Sequence, residues 1–196
     1  MVMRDSKLLL RYYSPHLSHY PDDSKEEADK TRVYWTTDRE SMISLGYNKN
    51  MVRPNEVPKS FADFVKPENK GKVAVSGDTT GFRFLGAMIK AKGEEILKPL
   101  RALDLKMHMI SGGAMHELMA AGEMPMSVSI FRNHVLAAKA KGAPTEWVPL
   151  DLVPTNAGGV AIPVLTNTPY AALLFADFLL SPEGQKIFEE KFRFAT

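Results

Sequence analysis

The sequence predicts an α/β fold, and three observations carry that prediction. From Lys72 onward, short apolar or β-branched runs alternate with stretches of helical periodicity. The joints between them are glycines with hydroxyl or acidic residues, as at Gly77-Asp78, Ser111-Gly112-Gly113, Gly122 and Gly142. The 196 residues, 44% of them hydrophobic and 24% charged, suffice for one good core, or for one domain plus part of a second. Strands that alternate with helices build a sheet with helices on its faces.

The elements follow in order. Pro21 to Glu27 is polar and reads as a solvated loop, and Val33-Tyr34-Trp35-Thr36 and Ile43 to Asn48 read as two short strands. Lys72 to Ser76 is a strand, and a helix with Phe82, Leu85, Met88 and Ile89 on its apolar stripe follows, stopped by Gly93. Glu95 to Leu103 continues as a second helix, bent or restarted at Pro99. Leu105 to Ile110 is the next strand, Ala114 to Ala121 a helix, Pro125 to Ile130 a strand and Asn133 to Lys141 a helix. Glu146 to Leu150 and Gly159 to Pro163 are further strands. Two closing helices each begin with a hydroxyl residue before proline, Thr168-Pro169 and Ser181-Pro182.

Composition narrows the function classes. Twenty-five Lys and Arg against 23 Asp and Glu give a net charge of +2, without the clustered excess of a nucleic-acid binder, so no nucleic-acid partner is expected. The chain has no cysteine, which removes disulfides, thiolate metal sites and thiol nucleophiles. The longest apolar stretch, Tyr170 to Leu180, is too short for a bilayer and contains Asp177. The start, with Asp5 ahead of only Leu8-Leu9-Leu10, lacks the pattern of a secretory signal.

No nucleotide fingerprint of either glycine-rich type, no H-x-x-x-H and no G-x-S-x-G occurs. His16, His19, His108, His116 and His134 do not share a ligating pattern, so neither a metal nor a cofactor is expected. Met107, Met109, Met115, Met119, Met124 and Met126 resemble a soft ligand cluster, but their spacing suits core filling. Two loops point elsewhere. Gly77-Asp78-Thr79-Thr80-Gly81 and Ser111-Gly112-Gly113 each join a strand to a helix, where open amides and hydroxyls favour an anion. Thr79 and Ser111 are equally what ordinary N-caps look like. Arg132 follows the strand ending at Phe131, at a helix start where a guanidinium suits a carboxylate or phosphate, although an exposed helix-start arginine looks the same.

A longer pattern joins these loops. Gly46-Tyr47-Asn48, Pro58-Lys59-Ser60-Phe61-Ala62-Asp63-Phe64 and Lys70-Gly71-Lys72-Val73-Ala74-Val75 resemble a recurring stretch of bacterial extracellular solute-binding proteins. Ala121-Gly122-Glu123, Lys141-Gly142-Ala143-Pro144 and, most specifically, Phe175 to Gln185 fit the same family in the same order. The branch it resembles is the type II, family 1 periplasmic binding proteins of ABC importers, near the ferric-iron and small-anion binders.

That resemblance implies a type II periplasmic-binding-protein-like fold represented mainly by its second lobe. Residues 1–50 would be the hinge or crossover segment with a remnant of the first lobe, 51–163 the second lobe, and 164–196 helices returning to the first lobe. It also implies a periplasmic or extracellular location, a membrane permease as partner, and capture of a small solute without chemistry on it. Thr79, Thr80 and Ser111 would donate hydrogen bonds, Arg132 would pair the ligand's charge, and Tyr13 and Tyr47 would line the hinge side. Arg132-Asn133 stands where ferric-binding members carry a tyrosine pair, a poor set for ferric iron and a better one for an anion. Two other readings remain: a stand-alone interaction or regulatory module, and a small α/β enzyme using His134 or His116 as base. The helix from Ala171 to Leu180 is apolar nearly all round, so self-association through residues 168–192 is a further expectation.

Overall fold

The computed structural model describes residues 2–194. In chain order the elements are α1 (Val2–Asp5), β1 (Lys25–Glu27), β2 (Val33–Asn48), α2 (Phe61–Phe64), β3 (Val73–Ser76), α3 (Thr79–Lys92), α4 (Leu97–Ala102) and β4 (Lys106–His108). They continue with α5 (Gly112–Ala121), β5 (Met126–Phe131), α6 (Arg132–Lys139), β6 (Thr145–Val148), β7 (Thr155–Ala161), α7 (Pro169–Leu180) and α8 (Pro182–Phe192). The chain divides into two compact units. One comprises the residues up to Glu40 with those from Ala157 on, and the other is Ser41–Asn156.

The Ser41–Asn156 unit is the α/β part. Its strands run in the order β6, β2, β5, β3, β4, with β2 antiparallel to β6 and β5, and β5, β3 and β4 mutually parallel. Every residue of β3 is buried, as are Met126 to Ile130 of β5, the condition of parallel strands covered on both faces. On one face Val73, Val75, Met126 and Val128 pack with Phe84 and Met88 of α3 and with Phe64 and Leu103. On the other, Ala74 and Ile130 pack with Met115 and Met119 of α5 and Val135 of α6. Val128 and Ile130 are two residues apart yet face opposite ways. The register with β2 slips there, from Ser44 opposite Ile130 to Gly46 opposite Ser127, and this extra residue turns the strand over.

The other unit is thinner. Residues Lys25 to Glu27 of β1 pair antiparallel with Val33 to Thr36 of β2. Its core is Tyr12, Leu17, Val33, Ile162, Ala176 and Leu180. Asp177, the polar break in α7, accepts from the Ser14 hydroxyl at 2.6 Å.

Several expectations change. The two strands expected at Val33 and Ile43 are one strand of 16 residues, because the polar segment between them alternates in burial and Thr36 and Asp38 point inward. The polar stretch Pro21 to Glu27 is not wholly a loop, since Lys25 to Glu27 finds a partner strand. The α3 cap is Asp78, not Thr79. Thr168 stands at the α7 N-cap position without a side-chain cap bond. Met107 and Met109 are exposed, whereas Met115, Met119, Met124 and Met126 fill the core. By contrast Ser111 and Ser181 cap as expected, and Gly93 and Gly122 stop their helices with positive φ.

Candidate functional site

Three parallel strands end on the same side of the Ser41–Asn156 unit, and each is followed there by a helix: β3 by α3, β4 by α5 and β5 by α6. Three helix N-termini therefore share the carboxyl edge of the sheet, where first-turn amides lack helical partners and carry partial positive charge. Buried serines fix that edge. The Ser76 amide donates to Ser129 Oγ at 2.8 Å, and Ser127 and Ser129 are hydrogen-bonded at 3.2 Å. Ser76 Oγ lies within bonding reach of the Asp78 carboxylate and, at 2.6 Å, of the Ile110 carbonyl just ahead of α5.

At α3, Asp78 accepts from the Thr80 amide at 2.8 Å. Burial disfavours its charged form, but hydrogen bonds from Ser76, Thr80 and Gly81 outweigh that and hold its carboxyl below the usual 3.8. Thr79 is exposed and Thr80 is buried beside it. At α5, Ser111 accepts from the Ala114 amide at 3.3 Å, which leaves the amides of Gly112 and Gly113 uncapped by that hydroxyl. At α6, Phe131 is the N-cap and gives no side-chain bond. Arg132 opens this helix half-buried, and the Asn133 Oδ1 beside it is buried with no partner.

These termini touch. A Cβ on Gly112 would lie 2.8 Å from the Ser129 carbonyl, 2.9 Å from Thr80 and 3.0 Å from the Phe131 ring, so only glycine lets α5 start against α3 and the end of β5. A Cβ on Gly113 would lie 3.3 Å from the His134 ring. His134 stands edge-on to Phe131 and its ring centroid is 6.5 Å from that of His116, whose Nε2 is 3.1 Å from Thr145 Oγ1. Burial pushes both imidazoles below 6.5, which leaves them neutral at pH 7.

Thr80, Ser111 and Arg132 are thus brought to one edge, with Thr79 next to Thr80. Tyr47 is not among them: its register partner is Met126, at the start of β5, whereas Arg132 follows the end of that strand. Tyr13 belongs to the other unit and is exposed. Sequence reasoning missed Asp78 as cap, Gly112 as the contact point and the buried serines, and it named Asn133 without its unpaired amide oxygen. The Ser-Val-Ser alternation in an otherwise apolar strand was the available signal for the serines. Among the described residues, no group of three or more His, Asp or Glu is placed to hold a metal ion.

The edge thus gathers helix-terminal amides, hydroxyls and one guanidinium. Solved proteins of this architecture are similar in fold. A periplasmic binding protein, AfuA from Actinobacillus pleuropneumoniae with fructose-6-phosphate bound, matches with a TM-score of 0.78 at 21% identity, covering 98% of this chain and 63% of that one. The substrate binding protein of an ABC transporter from Agrobacterium tumefaciens matches at 0.82 and 17%, covering 98% and 59%. By sequence, an uncharacterised protein of Haemophilus influenzae is 27% identical over 191 residues, 92% of this chain and 55% of that protein. The chain thus spans 55–63% of the length of these relatives. Among the described residues no helix is long and apolar enough to cross a membrane. Residues 3–196 match the family model described as bacterial extracellular solute-binding protein, and the chain belongs to that family, one of binding proteins rather than enzymes.

Proposed function

We propose that this chain is the solute-capturing part of an ABC importer and that its ligand is a small anion held at the carboxyl edge of the Ser41–Asn156 unit. The carrying observation is the junction at Gly112, where the N-termini of α3 and α5 abut beside the end of β5. Three positive helix ends around one spot favour negative charge, and Arg132 at the start of α6 adds a full one. Thr79, Thr80 and Ser111 supply hydroxyls. The fructose-6-phosphate named for AfuA is consistent with a phosphate or carboxylate head group, and Arg132 with Asn133 suits such a head group better than ferric iron. Tyr47 is left out of this site on account of its place at the far end of β5. In this reading the ligand is taken up in the periplasm and passed to a membrane permease, residues 51–163 act as the second lobe, and Tyr13 lies on the hinge side.

Calorimetric titration with inorganic phosphate at low ionic strength tests the site. Saturable binding is expected, weakened roughly ten- to hundredfold by Arg132→Ala, as suits loss of a charge-assisted hydrogen bond. Absence of binding by phosphate and sulfate alike, or binding unaffected by Arg132→Ala, overturns it.

A second reading concerns α7. Tyr170, Leu174 and Phe178 lie four residues apart on one face of this helix and are exposed, as is Phe175 beside them. That face supports self-association of the chain through residues 168–192.

A further inference from the structure

Two histidines stand between α5 and α6, and their rings are engaged differently. His116 on α5 is buried, and its Nε2 is bonded to Thr145 Oγ1 at 3.1 Å, which is how a structural histidine is satisfied. His134, in the first turn of α6, is half-buried, and among the described residues nothing hydrogen-bonds to either of its ring nitrogens. Neither nitrogen is sealed from solvent. A polar ring is thus held at the sheet edge with its hydrogen-bonding capacity unused.

Gly113 shows where that ring is aimed. From the point where a Cβ on Gly113 would stand, His134 Cε1 lies at 3.3 Å, and His134 Nδ1 and Ser111 Oγ each lie at 3.7 Å. The Nδ1 edge of the imidazole and the Ser111 hydroxyl therefore converge over Gly113, in space that any other residue would fill. Ser111 Oγ accepts from the Ala114 amide, which leaves its own hydrogen to donate. Phe131 braces the ring edge-on, with 5.2 Å between centroids.

The charges around the ring can be named element by element. Helix α6 packs on α5, β5 and β6. From α5 the Glu117 carboxylate favours the imidazolium, and neutral His116 faces the ring at 6.5 Å between centroids. Strand β5 carries no charged residue, and Glu146 of β6 is taken by Lys139 at 2.6 Å. Arg132 is the cation of the same helix turn. Burial outweighs Glu117, so His134 is neutral at pH 7. A negative charge placed over Gly113 would reverse that balance.

We propose that His134 is a ligand residue of the anion edge: its Nδ1 donates to the anion beside Ser111 Oγ, and the ring takes up a proton from solvent as the anion binds. His134 can play this part only if the anion edge proposed above is where the ligand sits. Both ring nitrogens of an imidazolium are donors, so the contact does not depend on a tautomer. Binding and protonation are linked. An anion that stabilises the imidazolium must bind more tightly where the ring protonates more easily, so affinity rises as pH falls.

Calorimetry on the full chain with sulfate tests this role, because the charge of sulfate does not change between pH 5.5 and 7.5. Sulfate is expected to bind roughly three- to tenfold more tightly at 5.5 than at 7.5. Titration at pH 6.5 in two buffers of different protonation heat should show a fraction of a proton taken up per sulfate bound, which a merely structural ring would not give. His134→Gln is expected to bind sulfate more weakly and to lose both the tightening and the uptake, whereas His116→Gln keeps both. Sulfate binding without tightening or uptake in the native chain overturns the role of His134 and leaves the anion edge standing, whether or not the variant folds. Uptake that survives in His134→Gln, or is lost only in His116→Gln, does the same. No sulfate binding at either pH overturns the anion edge and the role together.

Discussion

The two units of this chain solve the problem of burial differently. In Ser41–Asn156 the sheet is covered on both faces, and three helices start at one edge, two of them from turns capped by Asp78 and Ser111. In the other unit, α7 buries Ala176 and Leu180 yet leaves Tyr170 and Leu174 85% and 72% exposed. The first unit has a sheet covered on both faces and serines paired between its strands, with the Asn133 Oδ1 as an orphan at the edge. The second carries apolar surface and, at Asp38, an unpaired carboxylate oxygen that call for something more. A family resemblance that covers the chain evenly along its length therefore does not imply even completeness in space. Trp35 lies in one unit and Trp147 in the other, so single-tryptophan variants can report on each separately.

The largest effect is expected in the α/β core. Phe84 on α3 is fully buried among Val73, Val75 and Met88. Phe84→Ala removes a ring that the covered sheet cannot refill, at a cost of about 3–5 kcal/mol. Urea unfolding followed through Trp147 in a Trp35→Phe background measures it, and a cost below about 1 kcal/mol would show that this core is loosely packed. Gly81→Ala comes next. A Cβ there would lie 1.8 Å from the Ser76 carbonyl, so the start of α3 must shift, and about 1–3 kcal/mol is expected. Unchanged phosphate binding in that variant would remove α3 from the anion edge.

Much of the Ser41–Asn156 unit was legible because its signals are local. Ser111 caps three residues ahead, and Gly93 and Gly122 stop helices through their own φ. What escaped was non-local. Asp78 and Thr79 can each cap a helix, and the choice depends on Ser76, whose hydroxyl ties Asp78 to the end of β3. Motif order carries no register: it assigns Tyr47 to the hinge side, and only the pairing with Met126 shows that the residue lies at the start of β5, away from Arg132. The long β2 reads as two strands because only Val33–Thr36 and Ile43–Asn48 have β-branched and aromatic content, and the segment between them is polar. Burial of Asp38 has no sequence signature.

A smaller, graded effect separates the units by pH. His116 and His134 lie below their ordinary value of 6.5 in the folded chain because burial disfavours the imidazolium, with Glu117 opposing the shift. The unfolded chain therefore binds protons first as acid is added. Their contribution is intact above pH 6.5 and is lost as pH falls through the depressed folded value. The Trp147 transition should move to lower urea below pH 6.5, and His116→Gln should shrink that movement. A pH-independent midpoint between 7.5 and 5.5 would contradict the burial of both rings.

The smallest effect on stability falls in α7, where it is also the most informative. Leu174 makes little of the core, so Leu174→Gln should change the Trp35 transition by no more than about 0.5 kcal/mol. Its consequence should lie in association. If Tyr170, Leu174 and Phe178 form a face that a second copy covers, light scattering at rising concentration should show the native chain leaving the monomer and the variant remaining in it. Should the native chain stay monomeric, the exposed face cannot be explained by self-pairing. Should the variant instead lose several kcal/mol, Leu174 would be buried in solution, and the contrast between the two units would be smaller than their exposures imply.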